Sequence, residues 1–495
     1  MAPSGTTSWE LLLPAARAPA RQRGRALQSA LRDAVRSGRL AAGTRLPSSR
    51  ELALDLGVSR GLVTEAYEQL TAEGYLRSAR GSGTWVGDAA RAGAPAARDL
   101  APRGPGARVD FRPGTPDLSL FPRAAWGAAQ RTVLARLPHS GLGYPDPRGL
   151  PELRTALAAL LTRRRGVVAD PEQLVVCSGV AQAMTLLGFA LHGRGLRTLG
   201  VEDPGSPGHG PLFQAAGLGM TPVPLDGEGL AMEPLYRSGV RAVSTSPAHQ
   251  FPTGIAYSAR RRVELLEWAR SVDGLIVEDD YDGDFRYDRA PVGALQGLDP
   301  ERVAYTGSVS KSLAPGLRLG WLLVPRDLVD EVVERKRTLD MGHPALDQAL
   351  LAEFVRGGGY DRHLRRCQRA YRERRDTLVR ALAESFPGTG VSGIAAGLHI
   401  IARLPDRYGP EARFAAAARR AGVIVRWLSA HRLVPDGDPG LRLVLGYAHL
   451  APSEILRGVG LLARETDGPG AGGGTGDSGA GQAPPGSGEG RGDAS

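Results

Sequence analysis

Leu174-Val175-Val176-Cys177 is apolar at every position and runs straight into Ser178-Gly179-Val180-Ala181-Gln182 and a helical pattern through Leu187. A strand apolar on both faces has to be covered on both faces, which places it in a largely parallel sheet flanked by helices. Leu275-Ile276-Val277 repeats the pattern and emerges into Glu278-Asp279-Asp280-Tyr281-Asp282. Such runs alternate with amphipathic helical stretches over residues 110–465, so this segment reads as an α/β domain with a mostly parallel sheet. In an open sheet of this kind, ligands sit beyond the carboxyl ends of the strands. A glycine turn between strand and helix presents backbone N–H groups there, suited to a phosphate. Asp279 and Tyr281 face the same way on an extended backbone. The carboxylate can keep a pyridine nitrogen protonated, and the phenol can bond a ring oxygen. Asp282 and Asp284 extend the acidic run, so a metal site is the competing reading; the spacing fits neither a calcium loop nor a transition-metal set.

A second stretch carries chemistry of its own. Of 62 basic residues in 495, only two are lysine, Lys311 and Lys336. Arginine stays protonated and cannot act as an amine nucleophile, whereas lysine can lose its proton and form a Schiff base. Lys311 stands in Gly307-Ser308-Val309-Ser310-Lys311, followed by Arg318. Two hydroxyls and a guanidinium are suitable donors for a phosphate. An amine beside a phosphate cradle suggests pyridoxal 5′-phosphate (PLP). The alternative is that Lys311 is a surface lysine in an arginine-rich chain, a description that suits Lys336 in Glu334-Arg335-Lys336-Arg337.

The first 86 residues have a different grammar. Leu27, Leu31, Ala34 and Val35 recur at helical spacing. Ser48-Ser49-Arg50-Glu51 has the form of a capping box and opens a helix through Leu56, stopped by Gly57. Ser59 caps a third helix with Val63, Ala66, Tyr67 and Leu70 on one face, ending at Gly74. Tyr75-Leu76 and Trp85-Val86 read as short strands around Arg80-Gly81-Ser82-Gly83. Helix, helix-turn-helix and hairpin is the order of a winged helix. In residues 1–86, 12 arginines stand against seven acids, half of the chain's net charge of +10. That surplus favours an anionic partner.

Leu46-Pro47-Ser48-Ser49-Arg50-Glu51-Leu52-Ala53, Gly57-Val58-Ser59-Arg60, Glu73-Gly74-Tyr75-Leu76 and Gly81-Ser82-Gly83-Thr84 resemble a GntR-type winged-helix DNA-binding domain. The resemblance implies that Ser49, Arg50, Ser59 and Arg60 lie at the DNA. Thr64 faces the same groove as Arg60, and Arg80 and Gly81 form the wing tip. Residues 110–465 resemble a fold-type I aminotransferase, through Gly143-Tyr144-Pro145-Asp146-Pro147-Arg148-Gly149, Ser246-Pro247-Ala248-His249-Gln250-Phe251-Pro252-Thr253-Gly254, Asp279-Asp280-Tyr281, Ser308-Val309-Ser310-Lys311 with Arg318, and Gly397-Leu398-His399. The pairing of the two domains is similar to the MocR (GabR-like) family of transcriptional regulators. It implies Lys311 as the covalent carrier of PLP, Asp279 on the pyridine nitrogen and Tyr281 on the ring hydroxyl. It further implies Val180, Ala181, Ser308, Ser310 and Arg318 around the phosphate, with Tyr144 added from a partner subunit. Arg442 is implied as the clamp for an effector carboxylate. In Glu202-Asp203-Pro204-Gly205-Ser206-Pro207-Gly208-His209, Ser206 replaces the aromatic residue that many relatives stack on the ring, and His209 is the candidate substitute.

The domain plan is therefore a winged helix over 20–86 and a flexible Ala/Pro/Gly/Arg-rich linker over 87–109. A PLP-binding effector and dimerisation domain over 110–465 follows, then a disordered Gly/Pro/Ser-rich tail over 466–495. Arg365, Arg366, Arg369, Arg372, Arg374 and Arg375 form a basic helix face, either solvated or a secondary track for DNA. Two cysteines make no disulfide framework, and no apolar run spans a bilayer, so the expected setting is the cytoplasm. The functional reading is a homodimeric, PLP-dependent DNA-binding regulator responding to PLP or to an amine or amino-acid effector, with no metal. An active aminotransferase carrying a DNA-binding domain, and a repressor whose large domain has lost PLP, are the alternatives.

Overall fold

The computed structural model describes residues 9–12, 15, 17–79, 83–87, 108–288, 292–435 and 440–467. Arg80, Gly81, most of the expected linker and nearly all of the expected tail lie outside them. The chain divides into two compact units, 1–106 and 107–495.

In the first unit, the helix Arg23–Arg36 buries Leu27, Leu31, Ala34 and Val35, as the spacing predicts. Ser48 caps the helix Ser49–Leu56 reciprocally: its hydroxyl accepts from Glu51 N–H, and Glu51 accepts from Ser48 N–H at 2.9 Å. Gly57 closes that helix at φ 63°, a left-handed conformation that glycine adopts without steric cost. The Ser59 hydroxyl then caps the helix Arg60–Ala72 by accepting from Leu62 N–H, and Val63, Ala66, Tyr67 and Leu70 turn inward. The wing has three strands rather than two. β1 (Arg45–Leu46) pairs antiparallel with β3 (Gly83–Val86), which pairs antiparallel with β2 (Leu76–Ala79). Leu12 and Ala15, upstream of the expected start at residue 20, are buried in this core.

The second unit begins before the expected linker ends. Arg108 N–H donates to Gly422 carbonyl at 2.8 Å, and β4 (Val109–Asp110) pairs with β15 (Val423–Ile424). Its main sheet joins β5 (Leu174–Cys177), β6 (Thr198–Asp203), β7 (Gly219–Asp226), β8 (Gly229–Leu230), β9 (Ala242–Thr245), β10 (Leu275–Asp279), β11 (Val303–Ser308) and β12 (Gly320–Leu323). Their order is β5-β12-β11-β10-β9-β6-β7-β8. Neighbours from β11 to β7 run parallel; β12 is antiparallel to both its neighbours and β8 to β7. The sheet is mostly parallel, as the all-apolar strands require. A smaller antiparallel sheet follows: β13 (Gly390–Ser392), β14 (His399–Arg403), β16 (Arg426–Trp427) and β17 (Arg442–Gly446), in the order β13-β14-β17-β16. Among the described residues, no helix is long and apolar enough to cross a membrane.

Lys336 is not on the surface. It is fully buried on the helix Val329–Asp340 with Val332, one turn away. Its ammonium donates to Asp340 at 2.8 Å and to Gln182 Oε1 at 3.2 Å, and the same Gln182 oxygen accepts from Ser178 N–H at 2.7 Å. The lysine thus ties one helix to the loop before the helix Val180–Gly193. The basic face of Gly359–Ser385 is partly structural as well: Arg374 bonds Asp117 at 2.6 Å. Asp340→Ala strands the buried ammonium. Discounting for the partial exposure of Asp340, the loss is about 2 kcal/mol, read as a lowered midpoint in thermal unfolding of the full chain. Lys336→Met in the Asp340→Ala background recovers most of it.

Candidate functional site

A cavity of about 480 Å³ opens at the carboxyl ends of β5, β10 and β11. Val180, Ala181, Ser308, Ser310 and Arg318 wall one end. The first N–H groups of the helix Val180–Gly193 have no intrahelical partner and point out of its N-terminus. Gly179, at φ 80°, lets Arg318 approach; a Cβ there would lie 2.9 Å from the guanidinium. Hydroxyls, a guanidinium and a helix N-terminus converge here, a donor set made for a dianion.

Lys311 occupies the middle. Its amine donates to Gly114 carbonyl at 2.6 Å, and Gly114 holds φ 86°, a backbone conformation that residues with a side chain rarely adopt. Burial pushes the amine below the usual lysine range, against the opposing charges of Asp279 and Asp282. The neutral, nucleophilic form is therefore easier to reach than on a surface lysine.

At the base, Asp279 is buried at the end of β10, and burial pushes its carboxyl up. Two neighbours oppose that: His209 Nε2 stands 3.4 Å from Oδ2, and Thr306 hydroxyl donates to Oδ1 at 3.2 Å. Tyr281 also lines the cavity, its hydroxyl 3.1 Å from His249 Nδ1, which lies 2.9 Å from Asp282 Oδ2. Asp282 is thus engaged with a histidine. The third quarter of the wall holds Phe251, His399 and His431. Burial drives His399 down to about 3, and its Nε2 donates to Pro252 carbonyl at 3.0 Å.

The structure brings Lys311, Asp279, Tyr281, Ser308, Ser310, Arg318, Val180 and Ala181 into one cavity. Arg442 is different. It lies on β17 opposite Arg403, and the cavity wall carries Arg426 and Arg112 instead. Register explains the difference: on β14, His399, which lines the cavity, pairs with Gly446, four residues along β17 from Arg442. Tyr144 is 85 % exposed and is not on the wall of its own chain's cavity. Ser206 is on the wall, and His209 turns to Asp279. In the other unit, Arg50 and Arg60 are exposed at the starts of successive helices, Ser49 and Thr64 are half-buried beside them, and Ser59 is committed to its cap. Local sequence missed Arg426 and the part of Gly114, and offered His209 as a cover for the ring rather than as a neighbour of Asp279. The signal for His209 is positional: it follows the end of β6 in the sheet whose β10 ends at Asp279.

The comparisons agree with this geometry. Residues 113–458 match the family "Aminotransferase class I and II", and residues 24–86 match "Bacterial regulatory proteins, gntR family". A kynurenine aminotransferase from Pyrococcus horikoshii, solved in complex with PMP, is similar to 72 % of this chain over 90 % of its own, with a TM-score of 0.65 and 27 % identity. Fold and site together are those of a DNA-binding regulator built on a fold-type I aminotransferase unit. The HTH-type transcriptional regulator YhdI of Bacillus subtilis is 35 % identical over 86 % of this chain and 92 % of its own length. The probable rhizopine catabolism regulatory protein MocR of Rhizobium meliloti is 34 % identical over 88 % and 92 %. The chain belongs to the MocR-type family of GntR transcriptional regulators.

The residues present fit PLP: a dianion cradle, a poised amine and a carboxylate line one cavity. Because burial raises Asp279, its ionised form is lost at higher pH than for an ordinary aspartate, and cofactor retention should fall as pH drops through that point. His209→Ala removes a group that lowers Asp279, so the fall moves to higher pH and retention near neutrality drops. Equilibrium dialysis with visible absorbance across pH 5 to 8 measures it.

Proposed function

We propose that this regulator captures a primary amine in the Lys311 cavity and that the capture changes how its winged helices engage an operator. The observation that carries the reading is one chain holding both a desolvated lysine amine beside a phosphate cradle and an exposed, arginine-bearing helix-turn-helix. When bound, PLP supplies an aldehyde carbon able to hold an amine. The chain's own groups do the rest. Lys311 is the amine that holds PLP and gives way to the effector. Asp279, kept ionised by His209 and Thr306, holds a proton on the pyridine nitrogen. Tyr281 bonds the ring oxygen. Val180, Ala181, Ser308, Ser310 and Arg318 fix the phosphate. An effector carboxylate is assigned to Arg426 on the wall rather than to Arg442.

The unit works as a homodimer in the cytoplasm. Tyr144 and its neighbour Leu142, 85 % and 63 % exposed, are placed to meet a partner subunit, and paired winged helices read paired half-sites. Arg50 and Arg60 contact the DNA, with Thr64 facing the same groove. An amine shifts operator affinity only as far as it distinguishes the two arrangements of the dimer.

Operator binding by the PLP-loaded full chain, titrated with a panel of amines, tests the reading. One amine should change DNA affinity and the cofactor's absorbance together. Lys311→Ala should keep DNA binding and lose the response. Arg60→Ala should weaken DNA binding uniformly, reduce its salt slope by about one, and leave the absorbance unchanged. Steady keto-acid formation with no change in DNA affinity would make the chain an enzyme instead.

A further inference from the structure

Behind the Lys311 cavity lies a second chamber of about 300 Å³, at the lower end of the range for small-molecule sites. The two share Ser206, Pro207, His209, Ser246 and His431 as a common wall. At Ser206 the shared wall carries only a hydroxymethyl group, with Gly205 beside it on the chamber side and Gly208 on the cavity side. Neither Lys311 nor the phosphate-cradle residues Val180, Ala181, Ser308, Ser310 and Arg318 line the chamber.

Its lining has two characters. Pro211 and Met220 offer flat apolar surface and a polarisable sulfur, which favours aromatic contacts. Deeper in, Ser244 and Ser246 are 5 % and 6 % exposed, and their hydroxyls make no hydrogen bond among the described residues. His431, 8 % exposed, lines the same chamber. Buried polar groups are ordinarily hydrogen-bonded, so two such serine hydroxyls around one void call for a partner with polar atoms.

We propose that this chamber receives the side chain of the effector, and that the effector is a primary amine carrying a planar aromatic group with a polar substituent. The amine stays in the Lys311 cavity. The ring passes the gap at Ser206 and packs on Met220 and Pro211. Its substituent meets Ser244, Ser246 or His431. The inference rests on the amine-responsive function proposed above and narrows its ligand class.

The test uses the full-length PLP-loaded protein and four probes: ethylamine, glycine, phenethylamine and tyramine. Affinities come from calorimetry and from the shift in cofactor absorbance. Tyramine should bind about tenfold or more tighter than ethylamine and tighter than phenethylamine, since a site built around unpartnered polar groups discriminates strongly for a matching hydroxyl. Ala430→Trp fills the chamber from its exposed rim, away from the cofactor, and should erase the preference while ethylamine still binds. Ser244→Ala, a mild change should the tryptophan disturb folding, should bring tyramine and phenethylamine closer together. If ethylamine and glycine bind but the aromatic amines bind no better, or if Ala430→Trp leaves the preference intact, the chamber assignment is overturned and the amine-responsive reading stands. If no amine of any size binds, both fall.

Discussion

Everything in the large unit is arranged around an amine held out of water. Among the described residues Lys311 bonds only a backbone carbonyl, that of Gly114, and makes no ion pair with Asp279 or Asp282. A lysine fully paired with a carboxylate would be stabilised as a cation and useless as a nucleophile. Desolvation without pairing is the condition that makes it reactive, and the fold supplies it by gathering strand ends. β10 delivers Asp279, β11 delivers Ser308 and the turn to Lys311, and β5 delivers the glycine turn.

The second constraint is how charge is kept useful under burial. Asp279 is pushed toward its neutral form by the same desolvation that activates Lys311, which would defeat it as a partner for a pyridinium. His209 and Thr306 counter that push. A like logic runs through Asp282, held against His249. The acidic run that resembled a cation site is thus distributed among different partners: Asp279 to the cavity, Asp280 to Arg165 at 2.6 Å, Asp282 to His249 and Asp284 to Arg164 at 2.8 Å.

Much of this was legible in the sequence, for local reasons. Ser48, Gly57 and Ser59 announce helix ends through their own hydrogen bonds and backbone freedom, so the winged helix could be read almost residue by residue. All-apolar strands identify a parallel sheet, and the chemistry-bearing residues follow them directly. What escaped reading depends on distant pairing. β1 is two residues long and exists only because β3 is there to receive it. Lys336 sits among charges in the sequence, yet its helix turns it inward with Val332. Arg426 lines the cavity and Arg442 does not because of strand register in the smaller sheet, which no local pattern encodes. Leu12 joins the first core from outside any periodic stretch.

The use of lysine has a consequence for chemical labelling. Both lysines face inward: Lys336 is fully buried and Lys311 is enclosed in its cavity. The rest of the positive surface is arginine, which acylating reagents do not modify. Apart from the α-amino group of the chain, an amine-directed reagent therefore meets a surface with no lysine on it. Reagent small enough to enter the cavity finds Lys311 alone, so its incorporation becomes a direct gauge of whether that cavity is filled.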